Sequence, residues 1–355
     1  MSSVMIAMSG GVDSSVAAYL MKQNGYNCAG GTMLLCNGLL EDADSKLSQG
    51  ALDAASVTES LGINFHLFDE STAFRKMVVK PFIQCYEDGG TPNPCVNCNR
   101  HLKFDVFLEK ALSLGYDCIA TGHYAQIRKD EQTGRYLLYR ADDSAKDQTY
   151  FLACLNQHQL AHTRFPLGEL TKEQVRQIAE EQGFVNAVKR DSQDICFIPD
   201  GDYKAFMERY TGRRYPGGDY LDLSGNVVGQ HEGAVGYTIG QRKGLGIAMG
   251  EPVYVCAKDM ANNTVTVGPD SALFRTTLLA DNWNWIPFPA LDAPIRVNAK
   301  VRYRHKEQPA TVYPEKNGIC RVVFDEPQRA ITAGQAVVLY QDDLVVGSGT
   351  ITQTL

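Results

Sequence analysis

About the first 200 residues of the chain alternate between short apolar runs and longer amphipathic stretches, and this alternation limits the possible folds more than any other feature. Helical periodicity and strand-like runs take turns along this part of the sequence. Strands are predicted at 4–8, 28–35, 63–68 and 116–121, and helices at 14–25, 49–62, 72–88 and 101–115. Strands that alternate with helices build a parallel sheet covered by helices. We therefore predict an α/β N-terminal domain with a parallel sheet.

The character of the sequence changes after Pro199, where short valine-rich and tyrosine-rich runs are separated by glycine. Such runs predict two small, mainly-β domains, and the last is expected to be a compact β-barrel. The proline-containing stretch 287–294 is predicted to be a linker. A single hydrophobic core stops growing near about 250–300 residues, so this chain is expected to divide. We predict three domains, at 1–200, 201–280 and 281–355.

The segment MSGGVDSS (8–15) lies between the first predicted strand and the first predicted helix. Paired glycines allow a tight turn whose amide groups point outwards, and the start of the helix adds partial positive charge. This arrangement suits a phosphate or pyrophosphate, with hydroxyl donors from Ser9, Ser14 and Ser15. Asp13 could hold Mg²⁺ or orient the loop. The segment lacks the Gly-Lys-Ser/Thr ending of a Walker loop, and a capped turn without a functional role is the alternative.

The segment TPNPCVNCN (91–99) places Cys95 and Cys98 at the spacing Cys-x-x-Cys, and two prolines stiffen the chain just before them. This spacing is compatible with a zinc site, a redox pair, an iron–sulfur site or a nucleophile. Zinc would require a fourth Cys or His ligand, for which His101 and Cys85 are the nearby candidates. The spacing alone leaves these alternatives open.

Composition and hydropathy restrict the compartment and the partners. No apolar run approaches the ~18 residues of a membrane-spanning helix, and the first residues reach glycine too early for a signal-peptide core. We therefore expect a cytoplasmic protein without a membrane partner, in which the ten cysteines are mostly reduced. The net charge of −7 argues against a protein that coats nucleic acid without selectivity, but it allows one selective partner.

Several motifs resemble those of known families. SGGVDSS is similar to the phosphate-loop (PP-loop) motif of the ATP pyrophosphatases, which cleave ATP to AMP and pyrophosphate and use the adenylyl group to activate a carbonyl or carboxyl. Five ordered segments resemble the tRNA-specific 2-thiouridylases, the MnmA/TrmU family. They are GTPNPCVNCNRHLKF (90–104), ATGHYA (120–125), KDQTYFL (146–152), DSQDICFI (191–198) and TIGQRKGLGI (238–247).

The resemblance covers essentially the whole chain and has implications for fold and activity. It implies an adenine nucleotide α-hydrolase-like fold for the N-terminal domain. It also implies ATP-dependent replacement of the C2 oxygen by sulfur in the wobble uridine, position 34, of tRNAs for Lys, Glu and Gln. The enzyme would be a tRNA sulfurtransferase that uses ATP and Mg²⁺.

The resemblance further implies how the sulfur is delivered. Oxide is a poor leaving group, so AMP is first transferred to the C2 oxygen. Cys196 carries a persulfide that it receives from a partner sulfurtransferase, and a persulfide is a better nucleophile than a thiol at neutral pH. Cys98 attacks the bound persulfide or resolves the resulting species. The cycle ends in a Cys98–Cys196 disulfide that a reductant must reopen.

The chain departs from the family pattern at Cys95, where many members have an aspartate with an acid/base or orienting role. Two mechanisms therefore stay open. In the first, Cys95 is a bystander, and the persulfide route uses Cys98 and Cys196. In the second, Cys95, Cys98 and Cys196 bind three irons of a [4Fe–4S] cluster whose fourth iron carries the transferred sulfur.

Other positions match binding sites of the family. By resemblance, the ATP-binding residues are Ala7, Met8, Ser9, Gly10, Gly11, Val12, Asp13, Ser14, Met33 and Gly122. By resemblance, the tRNA-contacting residues are Asn93, Pro94, Cys95, His123, Lys146, Asp147, Gln148, Tyr303, Arg304 and Gln335. A rigid Pro-Asn-Pro turn suits a loop that holds a flipped uridine, and Arg304 is suited to contact phosphates.

The residues leave two rival functions. One is a PP-loop ligase or amidotransferase of a small metabolite, which would need neither the cysteine pair nor a basic C-terminal barrel. The other is an RNA-binding module with an inactive phosphate loop.

Overall fold

The computed structural model describes residues 2–37, 39, 48–187, 189 and 195–355. The strands of this part of the chain are β1 (Ser3–Ala7), β2 (Asn27–Leu34), β3 (Asn64–Asp69), β4 (Cys118–Ala120), β5 (Gln126–Lys129), β6 (Tyr136–Tyr139), β7 (Thr163–Arg164), β8 (Gly218–Leu221), β9 (Val227–His231), β10 (Tyr254–Asp259), β11 (Thr264–Gly268), β12 (Phe274–Trp285), β13 (Ile295–Lys300), β14 (Gln308–Pro314), β15 (Cys320–Arg329), β16 (Ala336–Gln341) and β17 (Leu344–Thr354). Its α-helices are α1 (Val12–Gln23), α2 (Gln49–Ser60), α3 (Ser71–Phe74), α4 (Lys80–Glu87), α5 (Pro94–Cys98), α6 (Phe107–Ser113), α7 (Thr149–Leu152), α8 (Gln157–Ala161), α9 (Lys172–Glu181) and α10 (Tyr203–Thr211).

A parallel sheet with the strand order β3-β2-β1-β4-β7 forms the centre of the N-terminal domain, as the alternating pattern predicts. Its central strand, β1, is buried along Val4, Met5 and Ile6. β2 and β4 lie on opposite sides of β1, so the chain changes direction in the sheet at this strand. Ligands of open parallel sheets bind at the carboxyl ends of strands next to such a point. The loops after β1 and β4 therefore face the expected binding site.

One continuous helical segment carries the cysteine pair, which the sequence placed in a loop. α5 leads into a wider π-helical stretch, Asn99–Val106, and then into α6. The Asn93 side chain accepts a hydrogen bond from the Val96 amide and caps the helix. Pro94 stands at the first helical position, where its missing N–H costs nothing. Cys95 and Cys98 consequently lie one turn apart on the same helix.

Beyond the sheet domain lies a small mixed-β domain, again as predicted. Its sheet has the strand order β10-β11-β8-β9, with β8 parallel to β11 and the other pairs antiparallel. α10 precedes this sheet and ends at Gly212, whose φ of +67° provides the left-handed cap.

The C-terminal domain is a six-stranded antiparallel β-barrel, in agreement with the prediction. The order β12-β15-β14-β13-β16-β17 is closed by the pairing of β12 with β17. The linker predicted at 287–294 is wrong, because this stretch connects β12 to β13 within the barrel. The domain limit predicted at residue 280 also falls inside β12, which pairs with β15 and β17. Prolines in a connection between barrel strands had suggested a boundary.

Two hydrophobic clusters join the domains. The first includes Met5 and Phe107 of the sheet domain together with Ile286 and Tyr340 of the barrel. The hairpin β5–β6 also extends the barrel sheet through β17, with Tyr139 opposite Leu344. The second cluster, around Phe82, contains residues on both sides of Pro199. Over the described residues, no helix combines the length and the apolarity that crossing a bilayer would require.

Candidate active site

The loop between β1 and α1 has the backbone of a phosphate-binding turn. Gly10 has a φ of +73°, and a side chain there would collide with the backbone of Gly50. Gly11 is the N-cap of α1 without a side-chain cap, so the amides of the first turn are available to a ligand. The Ser14 hydroxyl donates to the Gly11 carbonyl at 2.9 Å and accepts from the Ser9 amide at 3.3 Å. These bonds fix the loop.

The remaining predicted ATP-binding residues lie around this loop. Ala7 ends β1, and the Met8 amide donates to the Gly31 carbonyl at 2.8 Å. Gly122, after β4, lies so close that a Cβ would approach the Asp13 carbonyl carbon to 2.6 Å. Met33, on the neighbouring strand β2, is half-buried near its carboxyl end. The residues thus come from the ends of three adjacent strands.

Asp13, in the first turn of α1, has two partners that the sequence did not suggest. The ammonium of Lys172, the first residue of α9, lies 2.7 and 2.8 Å from its two carboxylate oxygens. The Tyr124 hydroxyl donates to Oδ1 at 2.9 Å. Lys172 is buried, with 8% of its surface exposed. A buried cation therefore stands beside the phosphate loop, which lacks the lysine of a Walker loop.

A second group of contacts reaches the loop from residues that precede Cys196 in the chain. The Asn186 amide donates to the Gly10 carbonyl at 3.2 Å and to the Ser15 hydroxyl at 2.9 Å. The Lys189 ammonium donates to the same Gly10 carbonyl at 3.1 Å and pairs with Asp53 at 2.9 Å. These hydrogen bonds therefore attach the chain to the phosphate loop a few residues before it reaches Cys196.

Hydrophobic packing brings the Cys196 segment to the cysteine helix. Ile195, Phe197 and Ile198 belong to the same cluster as Cys98 and Leu102. The Phe197 ring contacts the rings of Phe74, Phe82 and Phe206, with centroid distances of 5.4, 5.3 and 5.3 Å. Residues 191–194 of the DSQDICFI motif lie outside the described residues.

The thiols of this cluster influence one another. Burial is the main reason that the pKa of Cys98 is raised to about 11; the neighbouring Cys196 and Cys95 act in the same direction, and the Lys103 ammonium opposes them. Desolvation by the surrounding residues also raises the pKa of Cys95 and of Cys196, although both side chains reach the surface. Lys103 lowers the pKa of both, so this lysine is the cation of the thiol site. At neutral pH the resting cysteines are protonated.

Cys36, which follows β2, is a fourth thiol of the site that the sequence did not identify. Burial raises its pKa to about 12, with further increases from Cys196 and Cys98. Its neighbours Leu35 and Leu39 belong to the hydrophobic cluster of Cys98. No motif surrounds Cys36, and only its position at the end of a strand next to β1 could have suggested it.

The predicted tRNA-contacting residues of the KDQ and GHY motifs pack together. The Gln148 side chain accepts from the Tyr124 amide at 3.0 Å, and the Tyr303 hydroxyl donates to the Asp147 carbonyl at 3.4 Å. Lys146 is half-buried and Arg304 is exposed. The Asp147 carboxylate is buried and accepts from Thr149 Oγ1 at 2.7 Å, so it holds the turn rather than facing solvent.

His123 feels the charge of Lys103 but is not itself a cation. Burial and then the charge of Lys103 hold the pKa of His123 well below its usual range. Its ring lies against Phe104 and Phe165, and Nδ1 is 2.7 Å from the Thr121 hydroxyl. A neutral imidazole at this position offers hydrogen bonds and stacking without charge.

Gln335 faces the cysteine loop. Its Nε2 donates to the carbonyls of Thr91 and Pro92 at 2.9 and 3.1 Å. Asn93 and Pro94 follow directly, and Cys95 is exposed at the surface of α5. The barrel therefore reaches the start of the predicted target-base loop.

The fit of a metal centre can be judged from the donors. Within the described ranges, no three His, Cys, Asp or Glu side chains are arranged to hold a metal ion, and all ten cysteines are free. That result concerns a single ion. Cys196 and Cys95 raise the pKa of Cys98, and Cys95 raises that of Cys196, so the three thiols are neighbours and both the persulfide route and the cluster stay open.

The ion pair of Asp13 makes a first prediction. Replacing Lys172 by Met should lower the free energy of unfolding by roughly 2 kcal/mol, because it leaves a partly buried carboxylate without its cation. Urea unfolding measures this change. Lys172→Arg should restore most of the stability. Equal stability of Lys172→Met and the unchanged protein would contradict the proposed importance of the pair.

The raised pKa of Cys98 makes a second prediction. At pH 8 only roughly a thousandth of a thiol with a pKa of about 11 is ionised, so iodoacetamide should modify Cys98 roughly a hundredfold more slowly than free cysteine. The rate should rise steadily up to about pH 11. Mass spectrometry of the peptide after timed quenching gives the rate. A rate that levels off near pH 8 would show that the thiol is not shifted.

Comparison with known proteins places this geometry in a family. Residues 2–200 match the family model described as "tRNA methyl transferase HUP domain", residues 204–269 the "tRNA methyl transferase PRC-barrel domain" and residues 275–351 the "Aminomethyltransferase beta-barrel domain". The HUP fold of the first region implies the use of ATP.

Individual relatives name the activity more closely. The "tRNA-specific 2-thiouridylase MnmA" of Clostridioides difficile (strain 630) is 47% identical over 99% of this chain and 98% of its own. The enzyme of the same name from Acetivibrio thermocellus is 47% identical over 98% of both chains. Among solved structures, NMN synthetase from Francisella tularensis aligns with 60% of this chain and 78% of its own, at 15% identity and a TM-score of 0.35, which is too distant to bear on function. At nearly half identity over its full length, the chain belongs to the tRNA-specific 2-thiouridylases.

Proposed function

We propose that this protein is a tRNA sulfurtransferase that uses ATP to replace the C2 oxygen of the wobble uridine, position 34, by sulfur. The observation that carries the proposal is the identity with 2-thiouridylases over 99% of the chain. The sequence resemblance adds tRNAs for Lys, Glu and Gln as substrates. Neither a metabolite ligase nor an inactive RNA-binding module would need the thiol cluster that surrounds Cys98.

The first step is adenylation. The C2 oxygen of uridine attacks the α-phosphorus of ATP, pyrophosphate leaves, and the oxygen becomes part of a good leaving group. The loop of residues 7–14 would bind the phosphates through its amides and hydroxyls, and Met33 and Gly122 would contact the adenosine. Of the two roles that the sequence allowed for Asp13, the contacts favour orienting the loop over holding Mg²⁺, because Lys172 occupies both of its carboxylate oxygens.

The second step is sulfur transfer. A partner sulfurtransferase loads Cys196 with a persulfide, whose terminal sulfur attacks C2 and displaces AMP. The tRNA is then joined to Cys196 through an S–S bond. The Cys98 thiolate attacks the Sγ of Cys196, breaks that bond and releases the 2-thiouridine. A Cys98–Cys196 disulfide remains, and two electrons from a reductant reopen it. The shared hydrophobic cluster of Cys98 and Phe197 supports this pairing.

The RNA would lie across the face that joins the sheet domain to the barrel. Lys146, Tyr303 and Arg304 offer charge and an aromatic ring on this face, and Gln148 and the neutral His123 connect it to the site. Asn93, Pro94 and Cys95 would hold the flipped uridine. The buried Asp147 carboxylate would stabilise the turn that carries Lys146 and Gln148, through its hydrogen bond from Thr149.

Cys95 would be a spare thiol in this scheme. In the alternative route, Cys95 would be the third ligand of a [4Fe–4S] cluster together with Cys98 and Cys196, and the role of Cys95 distinguishes the two routes. Cys95 is exposed and one helical turn from Cys98, where it would face the substrate.

Adenylation and sulfur transfer would use different residues, and this difference leads to a third prediction. Cys98→Ser and Cys196→Ser should lower thiolation by at least about a hundredfold, because each removes a sulfur that the transfer requires. Both should retain tRNA-dependent exchange of pyrophosphate into ATP, since adenylation uses neither thiol. Cys256→Ser, in the middle domain, is the matched control and should thiolate normally. Full activity of either variant would contradict the persulfide route.

Iron analysis makes a fourth prediction. Protein purified without oxygen should contain far less than about one iron per chain and still thiolate tRNA when a persulfide donor is supplied. Cys95→Ala should keep its activity within about fivefold, because a spare thiol is dispensable. About four irons and four sulfides per chain, lost together with activity in Cys95→Ala, would instead establish the cluster.

A further inference from the structure

Residues 89–92, which we call the lead-in segment, connect α4 to the cysteine helix and contact both β domains. From the barrel, the Ala333 carbonyl accepts from the Thr91 amide at 2.8 Å. Gln335 Nε2 donates to the carbonyls of Thr91 and Pro92. Three hydrogen bonds thus join two consecutive residues of the lead-in segment to one turn of the barrel.

The middle domain holds the other end of the lead-in segment through Lys258 on β10. The Lys258 ammonium donates to the Tyr237 carbonyl at 2.7 Å and to the Gly90 carbonyl at 3.4 Å. It also lies 5.8 Å from the centre of the Tyr86 ring. Among the described residues, no carboxylate pairs with Lys258, and burial lowers its pKa to about 8. A cation without a counter-ion is costly to bury, so these carbonyl contacts have a structural purpose.

The packing at this junction leaves little room for movement. A Cβ on Gly90 would lie 2.8 Å from the Cys85 sulfur and 3.0 Å from the Ala333 carbonyl oxygen. Gly334 has a φ of +88° and approaches the same sulfur and the Thr91 carbonyl. Residues of the sheet domain and of the barrel therefore meet around Cys85 without space for a side chain at either glycine.

The position of the lead-in segment determines the position of the helix that carries Cys95 and Cys98. Pro92 and Pro94 restrict the backbone on both sides of Asn93, and Pro94 is already the first residue of α5. A shift of residues 90–92 would thus move the helix that carries Cys98. Because a displacement of about 1 Å can slow a reaction by roughly a hundredfold, such a shift would matter for sulfur transfer.

We propose that Lys258 and Gln335 are positioning residues that hold the lead-in segment and thereby place Cys98 for sulfur transfer. The two β domains would then take part in the chemistry as well as in tRNA binding. This inference rests on the proposed thiolation. It adds a positioning role to the tRNA contact that the resemblance implies for Gln335, because its amide donor is directed at the two loop carbonyls.

The test uses the full chain with Lys258→Met and Gln335→Leu. In Lys258→Met, the Kd for tRNA and tRNA-dependent ATP–pyrophosphate exchange should stay within about twofold, because Lys258 is not among the predicted RNA or nucleotide contacts. Gln335→Leu is compared at saturating tRNA, where a weakened tRNA contact no longer limits the rate. Single-turnover thiolation at saturating tRNA should slow by about tenfold or more. Lys258→Arg should recover part of the rate, since it keeps a donor for the carbonyls. Lys316→Met, an exposed barrel variant, is the matched control and should behave normally.

A second measurement needs no tRNA. Diamide oxidises two neighbouring thiols to a disulfide, and the rate of Cys98–Cys196 bond formation reports their mutual placement. This rate should fall in Lys258→Met and Gln335→Leu while circular dichroism shows folded protein. If the unchanged protein fails to thiolate tRNA, the proposed function is wrong, but the diamide rates still test the positioning.

Three results would overturn the proposal. One is a weakened Kd for tRNA with a normal single-turnover rate at saturation, which would indicate direct RNA contacts. Another is a normal rate of both thiolation and disulfide formation in both variants. The third is loss of folding in Lys258→Met together with an unaffected Lys258→Arg and an unaffected Gln335→Leu, which would indicate a role in stability alone.

Discussion

The packing of Phe197 against three other rings determines where Cys196, the proposed persulfide carrier, lies. Burial of a phenylalanine contributes about 1.5–3 kcal/mol, and each well-oriented aromatic pair adds about 0.5–1.5 kcal/mol. Thiol–thiol interactions in the resting site are unfavourable for ionisation and contribute no comparable attraction. Hydrophobic burial of Phe197 and Ile198, rather than an affinity between sulfurs, therefore brings Cys196 to the helix of Cys98.

The phosphate loop contains a carboxylate, Asp13, whose negative charge must be compensated. A carboxylate in the first turn of α1 is favoured by the helix N-terminus, yet it would repel a bound triphosphate. Lys172 compensates this charge from α9, and Tyr124 adds a hydrogen bond from the segment after β4. Tyr124 belongs to the same Gly-His-Tyr motif as His123, so one short segment contacts the phosphate loop and also carries a residue for which we propose an RNA contact.

The sequence predicted the features that depend on local patterns. The strands of the parallel sheet, the glycine turn and the barrel follow from periodicity and from turn residues within short windows. The family motifs supplied the candidate thiols, whose roles stay predictions. The sequence could not predict contacts between residues that are far apart along the chain. Lys172 is separated from Asp13 by 159 residues, and Lys258 from Gly90 by 168. The helical start at Pro94 was missed because two prolines suggested a loop, whereas an Asn cap followed by proline also begins a helix.

The protonated state of the resting thiols gives the proposed reaction an order. Desolvation keeps the thiols of Cys98, Cys95 and Cys196 neutral, so none of them is an effective nucleophile before sulfur is loaded. A persulfide on Cys196 is more acidic than the thiol and can ionise in the same surroundings, aided by the nearby Lys103. Once tRNA is joined to Cys196, Cys98 must lose its proton to resolve the S–S bond. The Lys103 ammonium favours this ionisation, because it lowers the pKa of Cys98. In the proposed reaction, the desolvation that keeps the resting thiols neutral also opposes ionisation of Cys98, so its activation would depend on Lys103.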